Sequence, residues 1–471
     1  MKKIKIFVLN SLVLLASSII LQIIGMFFNV YISNKIGSEA VGIFTLVMSV
    51  YLFGITLATS GINIASTRVI SEELSYNNYS GVKFATKKCI IISLITGLLA
   101  SIIFFIFCDF IVVNFLHNRV SHKVIYALSV ALPFISMCSA INGYFVAVRR
   151  AYKNAINKFF EEFIKITATA LILNIFMPSG LDYMCFSLIL ADVISEVFSF
   201  IFAYFLFLKD KNNLEMRSSN PNSYTKRILR ISLPVAFTSY IRSGLSTLKQ
   251  IITPIALEKS GIGCSLALSN YGIVNGMAMP VIMFPSVFIN CFASLLVPEF
   301  SRYFVKKDIY KIRKMSIFIL LVTLAFSIFI TGIIFYFAEP LADLLYNQKD
   351  IAKYIKILCF VIPFIYLDLV IDNILKGLDA QVSVVFVNIA DCLITILFIY
   401  FAVPALGFIG YILSIFISEI FNILLSLGQL LLIISKNKIK CIWRKCTFFV
   451  RCAFSSSSLF TNIISSFYIS K

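Results

Sequence analysis

The sequence predicts an all-α polytopic membrane protein of about twelve transmembrane helices, in two six-helix lobes related by a parallel pseudo-two-fold repeat. Three observations predict it. Of the 471 residues, 60% are hydrophobic and 13% charged, well under the roughly 25% charged of a soluble domain. Twelve apolar segments can be placed, each long enough to cross a hydrocarbon layer that takes about 20 residues of helix. The basic residues fall in alternate loops, as the positive-inside bias requires.

The segments are 6–33, 41–66, 89–108, 123–148, 159–177, 184–208, 228–254, 265–297, 315–337, 353–375, 383–402 and 407–434. The first begins MKKIKIF and is apolar to Ile32. It is too long for a removable signal and lacks a small-residue cleavage site, so it counts as a span. Lys2, Lys3 and Lys5 place the N-terminus in the cytoplasm. Later inner loops carry Arg68, Lys83, Lys87 and Lys88, then Arg149, Arg150, Lys153 and Lys158, and then Lys209, Lys211, Arg217, Lys226, Arg227 and Arg230. They continue with Arg302, Lys306, Lys307, Lys311, Arg313 and Lys314, then Lys376. Outer loops hold only Lys35, Arg119, Lys123, Lys259, Lys349, Lys353 and Lys356. The net charge of +19 is therefore a topology signal, and no nucleic-acid partner is expected.

The polar stretch near the midpoint divides the chain. The expected units are an N-terminal lobe (1–208), a cytoplasmic linker (209–227), a C-terminal lobe (228–435) and a basic tail (436–471). The lobes show weak internal similarity. ISNKIG (32–37) and ASTRVISEE (65–73) match IALEKSG (255–261) and ASLLVPEFS (293–301) in order. GYFVAVRRAYKNAINKFFEE (143–162) aligns with the region from Ile374 so that Glu161 falls over Asp391. Six spans precede the repeat, so the halves have the same orientation. In the tail, Lys436, Lys438, Lys440, Arg444 and Lys445 would lie near anionic headgroups. Residues 447–469 fit a thirteenth span or a segment lying on the surface.

The eleven cysteines are scattered singly, without a CxxC pair, and His117 and His122 are the only histidines. Neither a disulfide framework nor a metal site is expected. No P-loop and no Ser/His/Asp arrangement occurs, which argues against ATP driving and against an enzyme. No cofactor is expected apart from Na⁺ or H⁺ as a coupling ion.

Charged residues inside spans are the functional candidates. Arg242 and Lys249 lie seven apart on helix seven, on nearly one face, and suit an anionic headgroup or a structural counter-charge. Glu161 and Lys165, four apart on helix five, read as an internal pair. Asp192 and Glu196 on helix six, and Asp368 and Asp372 on helix ten, are like-charged pairs at the same spacing. With Asn388, Asp391 and Glu419, the helix-ten acids offer oxygens for a hard cation. Taken singly, each acid is more often a packing group. Helix eight has no charge between Lys259 and Glu299 and carries Pro280 and Pro285. It should bend there, as a hinge or as a packing kink.

YGIVNGMAMPVIMFPS (271–286), LVPEFS (296–301), KIGSEAVGIFTL (35–46), SGINIASTRVISEE (60–73), ILKGLDAQ (374–381) and VPALGFIGYILS (403–414) together resemble the stage V sporulation protein B family. That family belongs to the multidrug/oligosaccharidyl-lipid/polysaccharide exporter superfamily. Val146, Ala147 and Lys153 depart from its usual central loop. The resemblance implies two lobes around a central cavity working by alternating access. It further implies a cell-membrane flippase for an undecaprenyl-pyrophosphate-linked saccharide, a peptidoglycan-type precursor for spore cortex, with lipid-linked oligosaccharide, anionic lipids and cell-wall synthesis enzymes as partners. The competing expectations are a cation-coupled multidrug antiporter of the same superfamily and a non-transporting scaffold for cell-wall synthesis.

Overall fold

In hydrocarbon, every backbone N–H and C=O must find a partner within the protein, and an α-helix achieves this segment by segment. The computed structural model describes residues 2–76, 78–116, 119–176, 180–211 and 224–435, with the backbone alone at 2–15, 176, 181, 211 and 435. The described residues form helices joined by short turns, and no strand occurs among them. Residues 212–223 of the expected linker and the whole tail from 436, with its thirteenth-span question, lie outside the described residues.

Helices Lys2–Thr59 and Gln381–Ser435 have 58 and 55 residues. At about 1.5 Å per residue, each would overrun a hydrocarbon layer of about 30 Å more than twice if straight. Neither is continuous. Gly37 (φ 79°, ψ 168°) and Gly407 (φ 60°, ψ −135°) leave helical geometry, at backbone angles that glycine reaches without a Cβ penalty. Each long helix is thus two passes. Twelve passes result among the described residues, numbered here in chain order. Passes one and two flank Gly37. Passes three to seven are Tyr79–Ile106, His122–Ala147, Tyr152–Phe176, Leu181–Lys211 and Tyr224–Lys259. Pass eight runs from Cys264 to Val305, pass nine is Ile309–Tyr336, pass ten runs from Asp350 to Gly377, and passes eleven and twelve flank Gly407. Helix Ile62–Ser75 continues pass two beyond a left-handed Gly61.

Among the described residues, eight helices are long and apolar enough to cross a membrane by length and composition, and the two double ones are among them. Passes five and seven, at 25 and 36 residues, are long enough but too polar to join that set. They carry Glu161 and Lys165, and Arg242 and Lys249, respectively. Such charges are tolerated only where the helix faces a bundle interior or a cavity.

Pass eight bends as its composition requires. A π-helical turn, Ile273–Ala278, leads into Met279–Met283 with Pro280 in the first turn, and the helix restarts at Ser286 with Pro285 capping it. A π turn and a proline are both recognised causes of kinks.

The two halves meet at the end opposite the basic loops. Ser38 and Ser269 share a hydrogen bond of 2.7 Å, Asn34 Nδ2 donates to the Leu345 carbonyl at 2.6 Å, and Arg119 pairs with Glu258 at 2.6 Å. Gly42 and Gly272 let passes two and eight touch backbone to backbone, since a Cβ on Gly272 would lie 2.7 Å from Gly42 N. The main core cluster runs through this end and joins both halves, from Ala40, Val41 and Leu46 to Leu268, Tyr271 and Val274. A second cluster lies at the basic end, built mostly from the first half around Ile70, Val82, Ile141 and Tyr144. Its sole additions from the second half are Tyr224, Ile228 and the partly buried Ile231, the start of pass seven. The molecule is closed at one end and divided at the basic end.

Candidate functional site

Pass seven is the strut between the halves. Along pass two, Tyr240 Oη donates to the Leu57 carbonyl (3.0 Å), Ser243 Oγ to Thr56 Oγ1 (3.1 Å) and Thr247 Oγ1 to the Ser49 carbonyl (3.0 Å). At the basic end Arg227 pairs with Glu72 and with Glu73, the latter at 2.8 Å. Arg227 holds the Glu72 carboxyl, beyond the apolar span, below its usual range, with Arg68 adding to the effect. On its other side pass seven meets pass twelve, where Lys249 Nζ donates to Ser418 Oγ at 3.1 Å.

The two cationic candidates on this helix therefore separate. Lys249 is half-buried and engaged with pass twelve. Arg242 is exposed, and among the described residues its guanidinium hydrogen-bonds to no other group. It stands within electrostatic reach of Asp372 and Cys392. A charge at mid-helix is tolerated in a membrane where it faces a bundle interior or a cavity, and Asp372 and Cys392 are the groups that Arg242 stands near.

The acids expected on passes ten to twelve do converge. Ser418 Oγ donates to Asp391 Oδ1 at 2.8 Å, and Thr395 Oγ1 reaches the same oxygen at 3.3 Å. Asp368 accepts from Asn422 Nδ2 (2.9 Å) and Ser426 Oγ (3.0 Å). Asp372 lies beside Asn388, and Glu419 lies within reach of Lys249, Asp368 and Asp391. Asn388 itself donates back to the Val384 carbonyl. The polar residues of pass twelve were not singled out from sequence, although their signal was present. Ser414, Ser418, Asn422 and Ser426 recur every four residues on one buried face.

In the first half, the expected Glu161–Lys165 pair does not form. Lys165 pairs instead with Asp192 of pass six at 2.6 Å, and Glu161 takes Lys158 at 2.6 Å and Ser199 Oγ at 2.8 Å. Asp192 and Glu196 thus have a base, supplied across a helix interface where sequence spacing does not show it. Asn157 Nδ2 donates to Ser199 Oγ at 2.9 Å, and the buried Tyr51 hydroxyl, which has no hydrogen-bond partner among the described residues, lies near Asp192 and Glu196. Each half thus hangs an acid of its fifth pass on a serine of its sixth: Glu161 on Ser199, and Asp391 on Ser418. Pro280 and Pro285 stand at the bend of pass eight, which packs at the closed end.

The fold defines the class as a multi-pass membrane protein with the architecture of transporters of the MATE family. An inward-facing multidrug resistance MATE transporter of the MOP superfamily superposes with TM-score 0.70 at 14% identity, covering 89% of this chain and 96% of that one. An outward-facing conformation of a MATE-family transporter gives 0.61 at 17% identity, over 90% of this chain and 95% of that one. A MOP superfamily transporter from Pyrococcus furiosus, described by the reverse polarity of its binding pocket, gives 0.61 at 15%, over 91% and 96%.

The chain belongs to the polysaccharide biosynthesis protein family, which matches residues 7–304, and the MatE family matches residues 259–401. Stage V sporulation protein B of Bacillus subtilis (strain 168) is 23% identical over 422 residues, 87% of this chain and 80% of that protein. Sporulation protein YkvU of the same organism is 21% identical over 339 residues, 70% of this chain and 73% of that protein.

Proposed function

We propose that the protein is an alternating-access flippase of the cytoplasmic membrane for an undecaprenyl-pyrophosphate-linked saccharide, a peptidoglycan-type precursor serving spore cortex. The basic end is cytoplasmic, following the loop-charge bias, so the divided state receives substrate from the cytoplasmic leaflet. The chain moves its substrate and makes or breaks no covalent bond in it.

The observation that carries the proposal is Arg242. It is a permanently charged fork on the strut between the halves, exposed and hydrogen-bonded to none of the described groups. A guanidinium bonds phosphate oxygens in parallel, and its charge does not depend on pH. Such a contact is stronger in a shielded cavity than at a surface. Because Lys249 is already engaged with Ser418, the substrate role rests on Arg242.

The test is outer-leaflet exposure of labelled lipid-linked precursor by reconstituted vesicles. Arg242→Ala should reduce flipping at least tenfold with normal insertion, and Arg242→Lys should restore part of it, since charge returns without the fork. Normal flipping by Arg242→Ala would remove the assignment.

A second reading, a cation-coupled multidrug antiporter, is favoured by one feature. The acids Asp368, Asp372, Asp391 and Glu419 cluster beside the same space. It requires efflux of a cationic dye, measured in the same vesicles.

A further inference from the structure

The acid cluster of the second half draws carboxylates from three passes: Asp368 and Asp372, Asp391, and Glu419. The charged groups facing it are Arg242 and Lys249 of pass seven and Lys376 at the end of pass ten. Carboxylates gathered within a membrane stay ionised only beside a compensating positive charge. Oxygen donors so arranged suit Na⁺.

A lysine of the chain already reaches this cluster, through a serine hydroxyl rather than by direct contact with a carboxylate. Lys249 Nζ donates to Ser418 Oγ at 3.1 Å, and the Ser418 hydroxyl in turn donates to Asp391 Oδ1 at 2.8 Å. The relay is ordered in one direction, from ammonium through hydroxyl to carboxylate. It ties pass seven to passes eleven and twelve. The neighbouring oxygens confirm how acceptor-rich the site is. Asn422 is 9% exposed, and among the described residues its Oδ1 has no donor, while its Nδ2 is spent on Asp368; Asp372 Oδ1 is likewise buried without a donor among them.

We infer that Lys249 is the resident cation of this cluster, filling with its ammonium the place where Na⁺ would otherwise bind. Two like charges so close repel in a low-dielectric interior, so the site holds the ammonium or Na⁺, not both. Coupling through this half then does not use Na⁺. The inference rests on the geometry of passes seven, ten, eleven and twelve. It does not depend on which substrate is moved.

The experiment uses the purified full chain in NaCl or in choline chloride at equal ionic strength. Thermal unfolding and ²²Na⁺ retention are read in parallel. Wild type and Lys249→Arg should behave alike in both salts and retain no ²²Na⁺. Lys249→Ala, which removes the charge and leaves space, should show a saturable rise in unfolding midpoint with NaCl and retain ²²Na⁺. Adding Asp391→Asn should abolish both responses. A wild-type Na⁺ response that Asp391→Asn removes would overturn the inference, as would a folded Lys249→Ala that ignores Na⁺. Should Lys249→Ala fail to purify, Lys249→Gln takes its place, and the wild-type arm decides independently. Precursor flipping is not the readout, so failure here leaves the substrate assignment standing, and the reverse also holds.

Discussion

Lys165 stands four residues from Glu161 on one helix face, yet its ammonium meets Asp192 of pass six at 2.6 Å. Desolvation explains the choice. The Asp192 side chain is 9% exposed, and an unpaired carboxylate at such depth is far more costly than one with other donors to hand. Glu161 has those donors in Lys158 and Ser199. Removing one partner of a buried pair typically destabilises by about 3–5 kcal/mol, whereas removing both is often close to neutral. The side chain of Lys165 keeps 25% exposure, so its loss should fall at or below the low end of that range. Lys165→Met should lower the unfolding midpoint in detergent, and Lys165→Met/Asp192→Asn should recover much of the loss. A double variant as unstable as the summed single variants would show that the two groups are not a pair.

At the scale of the element, pass eight carries both a contact and a bend. Gly272 approaches Gly42 so closely that a Cβ there would stand 3.0 Å from Gly42 Cα. Backbone cannot yield as the end of a flexible side chain can, and overpacking of this kind typically costs about 1–3 kcal/mol. Gly272→Ala should therefore wedge the closed end apart. In a background without native cysteines, Ser38→Cys should then react faster with an impermeant thiol reagent applied from that side. An unchanged rate would mean that the crossing is not what seals this end. The bend a few residues on comes from the π turn and the two prolines. Pro280→Ala/Pro285→Ala restores two backbone donors and should straighten the pass. Cysteines in the space between the halves should then become accessible from one side alone, and two-sided access would reduce the prolines to packing.

Over the whole molecule, the arrangement joins two halves through pass seven, seals them at one end and leaves them divided at the basic end. If the basic end is cytoplasmic, Lys306→Cys should be shielded from an impermeant reagent in intact cells and Asn347→Cys labelled. Both positions are exposed, at the basic end and at the opposite one. The opposite pattern would invert the topology.

Much of this architecture was legible in the sequence, because long apolar runs and alternating basic loops report directly on hydrocarbon thickness and loop position. The break at Gly37 falls in the gap between the first two expected spans, and the break at Gly407 falls on the first residue of the twelfth. The alignment that set Glu161 over Asp391 put together two acids that do occupy like settings, each on a serine of the following pass. What one sequence did not show was pairing across helix interfaces. Lys165 with Asp192, and Lys249 with Ser418, depend on how helices are rotated against each other. Spacing along one helix favoured Glu161 for Lys165. Likewise, Arg242 and Lys249 share a face by periodicity, yet Lys249 bonds to pass twelve and Arg242 is exposed, near Asp372 and Cys392.

Transport of a pyrophosphate-linked lipid saccharide across a bilayer is the activity proposed for this chain. The most direct measurement supplies wild-type vesicles with labelled precursor in the leaflet equivalent to the cytoplasmic one, and cationic dye in parallel. Protein-dependent appearance of precursor in the opposite leaflet, without dye movement, is the predicted result. Dye expelled while precursor stays where it was placed would contradict the account.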